Sequence, residues 1–248
     1  MIYLRSEKEI SKIEKACKII AELQIDIKKI LKPGVTTNFI NEQVEALARQ
    51  KKAKLAFKNY RGFPKSICVS VNDEVVHGIP SSRILKKGDI VSIDIGIVKD
   101  GYYGDAAFTV GIEDISLDGQ KIIESTEKAL YLGIEQARIG NRLSDISHAV
   151  QSYVESCGFS VVRDLVGHGI GKNLHEDPQI PNFGPPNQGP WLKKGMVFAI
   201  EPMVTRGSWE VEILENGWTV VTRDHSISAH SEHTIAITEK KARILTAF

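Results

Sequence analysis

The sequence predicts an α+β fold of two helix–helix–strand halves, near residues 1–111 and 112–248, around a central antiparallel sheet with pseudo-twofold symmetry. Three observations lead there. Leu85-Lys-Lys-Gly-Asp-Ile-Val-Ser-Ile-Asp94 and Leu192-Lys-Lys-Gly-Met-Val-Phe-Ala-Ile-Glu201 repeat one design at an offset of 107 residues. Each is a basic turn closed by Gly, then a short apolar run that reads as a buried strand, then one carboxylate. Gly34, Ile40 and Val44 match Gly140, Ile146 and Val150 at an offset of 106. Helical periodicity precedes strand-like runs in the same order on both sides of residue 111. Two independent matches at nearly one offset indicate a duplicated unit within a single domain spanning 1–248. A site at the junction would draw residues from both halves.

The elements follow in order. Ser6-Glu-Lys-Glu9 is a capping box, and Ile10, Ile13, Ala16, Cys17, Ile20, Leu23, Ile27 and Ile30 continue at helical spacing until Pro33-Gly34. Thr36 or Thr37 caps a second helix with Ile40, Val44, Leu47 and Ala48 inward. Strands are expected around Ser66–Val71, Asp89–Val98 and Tyr102–Gly111. A four-residue loop at Val98–Gly101 would pair Ile97 with Tyr102 and therefore Asp94 with Asp105. The second half opens with a helix from about Asp118 to Arg138, stopped by Gly140. Another starts near Ser144 with Ile146, Val150 and Val154 inward and ends at Gly158. Pro178, Pro181, Pro185, Pro186 and Pro190 stiffen a long connection over 178–195, and a loop of that length in a compact domain is usually functional. Asn216-Gly217, between apolar runs, predicts a type I′ hairpin.

Composition removes several function classes. The chain is 42% apolar and 25% charged with a net charge of +1, so no clustered basic excess marks a nucleic-acid footprint. Its first residues are too charged for a secretory signal, and no apolar run approaches a membrane span. Cys17, Cys68 and Cys157 are scattered and odd in number, which argues against disulfides and thiolate zinc sites and fits a reducing cytoplasm.

The chemistry lies with the carboxylates. A buried acid is costly unless it is paired, hydrogen-bonded or bound to metal. Asp94 and Asp105 facing each other would repel, and burial would raise at least one pKa; a cation between them removes both problems. Ser231-Glu232-His-Thr-Ile-Ala236 loosely repeats Gly104-Asp105-Ala-Ala-Phe-Thr109 and adds a fourth acid. Four converging carboxylates suit two divalent ions about 3.5–4 Å apart, and one neutral imidazole would shift preference toward Mn, Fe, Co or Zn. Of the seven histidines, His148 reads as a helix-face residue, and His225, His230 and His233 as solvated or supporting groups near Glu232. His168 and His175, within Gly-His-Gly-Ile-Gly-Lys-Asn-Leu-His-Glu-Asp-Pro178, and His77, beside Gly78 and Pro80, are the candidates for chemistry. No P-loop and no nucleophile elbow is present.

VHGIP, the Asp94/Asp105 pair, GHGIG…HEDP, IEP and SEHT occur in an order that resembles the methionine aminopeptidases, within the metallopeptidases that share the duplicated pita-bread fold. The resemblance covers essentially the whole chain. It implies five metal ligands, Asp94, Asp105, His168, Glu201 and Glu232, with Asp105 and Glu232 bridging two divalent ions and Glu201 moving the proton of the attacking water. It implies that His77 sits near the scissile amide and that His175 meets the carbonyl oxygen as it gains charge. It further implies a thioether pocket of Tyr60, Phe63, Cys68, Leu174 and Trp218, for each of which core packing is the alternative. Relatives often carry Phe where this chain has Leu174. A monovalent cation near the backbone of Asn72, Glu74 and Ser228 is also implied.

Glu201 and Glu232 stand only 31 positions apart, without the helical insertion of type II enzymes, so the resemblance is to type I. The chain starts almost at the first capped helix, which leaves no room for the N-terminal domain of proline-specific relatives. A binding module that has lost catalysis is disfavoured because all five ligands are present. The expected protein is a cytoplasmic, monomeric hydrolase acting on nascent N-termini at the ribosome and removing the initiator methionine before a small second residue.

Overall fold

A computed structural model describes residues 1–247; Phe248, the last position of the predicted second half, lies outside the described residues. Four helices carry the outer layer: α1 (Glu7–Lys28), α2 (Thr37–Gln50), α3 (Leu117–Gln136) and α4 (Leu143–Ser156). Each start has a local cause. Ser6 and Glu9 form the predicted capping box, the Thr36 hydroxyl accepts from Phe39 N at 3.1 Å, and the Ser116 hydroxyl accepts from Gly119 N at 3.0 Å. At α4, Arg142 N donates to the Asp145 carboxylate at 2.7 Å. The first helix stops at Lys28, before the expected Pro33-Gly34.

The duplication is visible in the backbone. Gly34 and Gly140 turn with φ of 90° and 94°, and Gly88 and Gly195 with 92° and 88°. These are left-handed conformations that glycine alone adopts without strain. Isolated antiparallel bridges join Thr36 to Ile84 and Arg142 to Trp191, equivalent positions of the two halves. Every named ladder is antiparallel.

In the first half the long strand Ile90–Lys99 pairs along one edge with Tyr102–Gly111. Its other edge is shared by Cys68–Val71 and Lys54–Leu55. Ala16, Ile20, Leu23 and Ile27 of α1 and Ile40 and Val44 of α2 close over this sheet with essentially no exposure. Burying one such aliphatic side chain stabilises the fold by about 1.5–3 kcal/mol. In the second half five strands run in the order Ala242–Ile244, His233–Ile237, Val197–Ile200, Val166–Gly169, Glu176–Pro181. Beneath this half Leu130, Ile134 and Ile146 of α3 and α4 pack against Phe198, Ile200 and Ile235.

Four expectations are corrected. The turn between the long strands is Asp100-Gly101, both residues with positive φ (52° and 75°), so Lys99 pairs with Tyr102. Asp94 therefore faces Ala107, and Asp105 faces Gly96. The slip is by two residues, so Asp94 and Asp105 keep one face of the sheet and become diagonal neighbours. Asp94 is also mid-strand, whereas Glu201 directly follows its strand. The proline-rich connection is partly a strand: Glu176–Pro181 pairs with Val166–Gly169. Pro178 and Pro181 are tolerated there because this strand is the sheet edge. The Asn216-Gly217 hairpin is present but is not type I′, because Gly217 has positive φ (75°) and Asn216 does not. Instead Gly217 N donates to Leu214 O at 2.9 Å, and the Asn216 side chain accepts from Trp218 N and Thr219 N, a longer loop around an ordinary turn.

Candidate active site and metal centre

Asp94 and Asp105 lie on adjacent strands as diagonal neighbours on one face of the sheet. Glu232 is brought over them from the other half by its N–H, which donates at 2.9 Å to the carbonyl of Ala107, the residue opposite Asp94. Thr234 completes the seam: its hydroxyl accepts from Asp105 N at 3.0 Å and donates to Asp105 O at 2.7 Å. His168 sits on Val166–Gly169, pairs with Ala199, and holds its Nε2 3.5 Å from Glu201 Oε1. Donor atoms of Asp105, His168 and Glu232 all lie within 4.8 Å of one another, and all three residues are buried.

The electrostatics of this cluster call for positive charge. Burial, then the neighbouring carboxylates Glu232 and Asp94, push Asp105 well above the usual carboxylate range. Burial followed by like charge does the same to Glu201 and Glu232, and burial raises Asp94 to about 7. One oxygen each of Asp94, Asp105 and Glu232 is buried without a hydrogen-bond partner. An orphaned buried acceptor costs about 1–3 kcal/mol, more when charged, unless something satisfies it. His168 adds a neutral donor, since burial holds its pKa down to about 4. Its Nδ1–H donates to Gly169 O at 2.9 Å, which leaves the Nε2 lone pair for the cluster. Three orphaned carboxylate oxygens and a free imidazole nitrogen fit divalent cations that accept mixed O and N donors.

Above the cluster lies a cavity of about 180 Å³. All twelve sequence-predicted site residues line it: Asp94, Asp105, His168, Glu201 and Glu232 as its floor, with His77 and His175, and with Tyr60, Phe63, Cys68, Leu174 and Trp218. His175 is held by Tyr60, whose hydroxyl is 2.7 Å from Nδ1, and its ring centroid stands 4.4 Å from that of His168. Burial, then the nearby His168, lowers His175 to about 3, so it is a neutral imidazole at neutral pH. His77 takes positive φ (59°), a strained conformation for a non-glycine residue, and burial lowers its pKa. Gly78 explains how it is gripped: a Cβ there would lie 2.2 Å from Val69 O. On the apolar side Phe63 and Trp218 meet edge to face at 5.2 Å. Burial pushes the Cys68 thiol well up, so it offers a neutral sulfur surface. A larger groove of about 660 Å³ shares Tyr60 but contains none of the cluster's acids or imidazoles.

Sequence reasoning missed two residues here and left a third open. His230, expected to be solvated or supporting, is buried with Nε2 3.7 Å from Glu201 Oε2 and no hydrogen-bond partner. Phe57 lines the cavity, and only a glycine at 96 admits it, since a Cβ there would come within 2.4 Å of its ring. Arg61, also missed, lines the cavity with positive φ (50°). Only the pairing of Ser228–His230 with Met203–Thr205 brings His230 beside Glu201, and no local pattern signals it. Of the other histidines, His148 and His225 are exposed, and His233 turns away to Thr246 at 2.8 Å. The Ser228 hydroxyl donates to the carbonyls of Asn72 and Glu74 at 3.4 and 3.1 Å, so these backbone oxygens do converge.

Residues 11–239 match the profile of metallopeptidase family M24. The chain belongs to that family. Within M24 it is 53% identical over 246 residues to methionine aminopeptidase 1 of Bacillus subtilis, covering 99% of both chains. It is 50% identical over 246 residues to a Clostridium perfringens methionine aminopeptidase, again covering 99% of both. The crystal structure of methionine aminopeptidase from Thermotoga maritima superimposes with a TM-score of 0.98 at 47% identity over the whole of both chains. A prolidase from Pyrococcus horikoshii shares the fold, with a TM-score of 0.78 at 23% identity over 98% of this chain and 63% of that one. The duplicated α+β fold predicted from the two repeats is therefore that of the M24 metallopeptidases, as the motif resemblance implied.

Proposed function

We propose that the chain is a dinuclear-metal aminopeptidase that removes the initiator methionine from nascent proteins and peptides with a small second residue. The observation that carries this reading is a single cavity whose floor is an acid–imidazole cluster and whose wall is aromatic and sulfur surface. Asp94, Asp105, His168, Glu201 and Glu232 would hold two divalent ions, Mn, Fe, Co or Zn. Metal analysis of protein purified without added metal would decide among them. A monovalent cation would sit by the carbonyls of Asn72 and Glu74 near Ser228. Methionine aminopeptidases at 43–53% identity over essentially the whole chain support the reaction class.

Bound metal would supply Lewis-acid polarisation and an acidified water at neutral pH. The chain's own groups do the rest. Glu201 takes the proton of the attacking water and returns it to the departing amine as the C–N bond breaks. The Tyr60 hydroxyl lies 2.7 Å from Nδ1; in the tautomer in which it donates there, His175 carries its proton on Nε2 and offers it to the carbonyl oxygen as charge develops. His77, held rigidly at its strained backbone, stands by the scissile amide and the second residue. Tyr60, Phe63, Cys68, Leu174 and Trp218 enclose the thioether, whose polarizable sulfur favours aromatic and sulfur neighbours. Substrates would be nascent chains in the cytoplasm, met at the ribosome by a monomer. No helix among the described residues is long and apolar enough to cross a membrane.

The test is methionine release from Met-Ala-Ser by metal-loaded protein, compared with Glu201→Gln. Loss of its proton transfer should cost about 10²–10⁴ in kcat, and activity unchanged by the substitution would overturn the mechanism. The chain also tests its own specificity: Ile2 is bulky, so Met1 should be retained. An intact mass lacking Met1 would contradict the preference for a small second residue.

A further inference from the structure

We propose that Arg5 is a positioning residue that holds the loop carrying His175, acting through Glu176; this rests on the aminopeptidase reading above. Arg5 Nη2 and Glu176 Oε2 are 2.5 Å apart, and their side chains are only 6% and 5% exposed. The other oxygen of Glu176 accepts from Lys172 N at 2.9 Å and Asn173 N at 3.0 Å. One carboxylate thus closes the loop on itself and ties it to the N-terminal segment, with His175 the residue immediately before.

Two glycines show how tightly Arg5 is seated. A Cβ on Gly171 would lie 2.6 Å from Arg5 Nη2, so the loop backbone rests against the guanidinium. A Cβ on Gly195 would lie 2.7 Å from Arg5 O, and Arg5 N donates to Gly195 O at 2.7 Å. Gly195 closes the turn that starts the strand leading to Glu201. Arg5 is therefore wedged between the segment feeding His175 and the segment feeding Glu201.

Stability does not explain such a pair. Burying two charges costs several kcal/mol per ion, and well-packed apolar replacements are often neutral or better. What the pair supplies is one geometry: Nη2 holds Oε2 while two backbone N–H groups hold Oε1, so both oxygens of the Glu176 carboxylate are fixed in direction. A side chain that meets charge only as it develops loses most of its effect when displaced slightly.

The experiment compares wild type, Arg5→Met and Arg5→Lys, loaded with Co²⁺, for kcat and KM on Met-Ala-Ser, together with metal content and melting temperature. Arg5→Met is expected to lower kcat about tenfold or more, with KM within about twofold and full metal content; Arg5→Lys should recover part of the loss. In a His175→Ala background Arg5→Met should lower kcat no further. Unchanged kcat in Arg5→Met, or an equal fall in both backgrounds, overturns the proposal. So does a fall that follows metal loss. Should Arg5→Met not fold, Glu176→Gln is read by the same criteria. The ¹⁵N resonances of the His175 ring, expected to shift in Arg5→Met, test the positioning independently of turnover. If wild type releases no methionine the aminopeptidase reading fails, while unmoved resonances would overturn the role of Arg5 alone.

Discussion

Asp105 and Glu232, buried, and Asp94 and Glu201, half-buried, meet at one point and make the metal-free protein sensitive to rising pH. Burial holds Asp94 at about 7, and burial first and the neighbouring carboxylates second hold Asp105, Glu201 and Glu232 well above the usual range. Unfolded, they ionise near about pH 4. A folded pKa above the unfolded one contributes stability that is complete below the unfolded value and lost as pH rises through the folded value. The imidazoles with lowered pKa act with opposite sign. His77 is lowered, His168 and His233 are held at about 4, and His175 and His230 at about 3, so they weaken the fold as pH falls below the histidine reference. Above about pH 6.5 they are neutral in both states and only the carboxylates titrate. Chelator-treated protein should therefore lose melting temperature between about pH 6.5 and 8.5, each retained proton contributing about 1.4 kcal/mol per pH unit. Saturating Co²⁺ or Mn²⁺ should remove the slope. Scanning calorimetry that shows a flat profile for the chelated protein would contradict this picture of the cluster.

At the scale of the element, the strand Val166–Gly169 matters because glycine lets two backbones meet behind His168. A Cβ on Gly169 would lie 2.1 Å from the carbonyl oxygen of Asp177, a backbone atom that cannot swing aside. The ladder is already irregular there, with a register shift between His168 and Gly169. Gly169→Ala should force the strands apart at a cost of about 1–3 kcal/mol, typical of overpacking. Because Gly169 O accepts from His168 Nδ1, the same shift should turn the imidazole and weaken metal binding. Urea denaturation and a Co²⁺ titration read the two effects separately. Wild-type metal affinity in a destabilised variant would mean that His168 is oriented from elsewhere.

At the scale of the molecule, the halves are joined through the site itself. Glu232 N reaches Ala107, Thr234 brackets Asp105, and the Thr109 hydroxyl donates to His230 O at 2.6 Å while accepting from His230 N at 3.0 Å. The strand Glu74–Val76 adds a first-half strand to Val220–Thr222 of the second. Metal held by acids from both sides, as proposed, would stabilise the seam, and by mass action a ligand at one hundred times its Kd adds about 2.7 kcal/mol. We expect one cooperative unfolding transition, moved upward by divalent metal and downward by chelator, as for a single catalytic domain. Two resolved transitions, with metal shifting only one, would mean that the halves are separate units.

Much of this protein was legible in one dimension. The two Leu-Lys-Lys-Gly runs, the paired glycines and the helical spacing of Ile13, Ile20 and Leu23 specify a duplicated α+β unit, because capping, periodicity and left-handed turns act over a few residues. Asp94, Asp105, Glu201 and Glu232 stood out because carboxylates among apolar residues have few inexpensive explanations, while His168 was singled out from His77 and His175 only by the family resemblance. Register was less accessible: the Asp94–Asp105 pairing depended on whether the turn took two residues or four, a small difference in backbone energy. Only the tertiary structure placed His230 beside Glu201 and wedged Arg5 between the segments feeding His175 and Glu201. Those contacts join residues far apart in the chain. Packing and desolvation decide them, and neither leaves a local trace in the sequence.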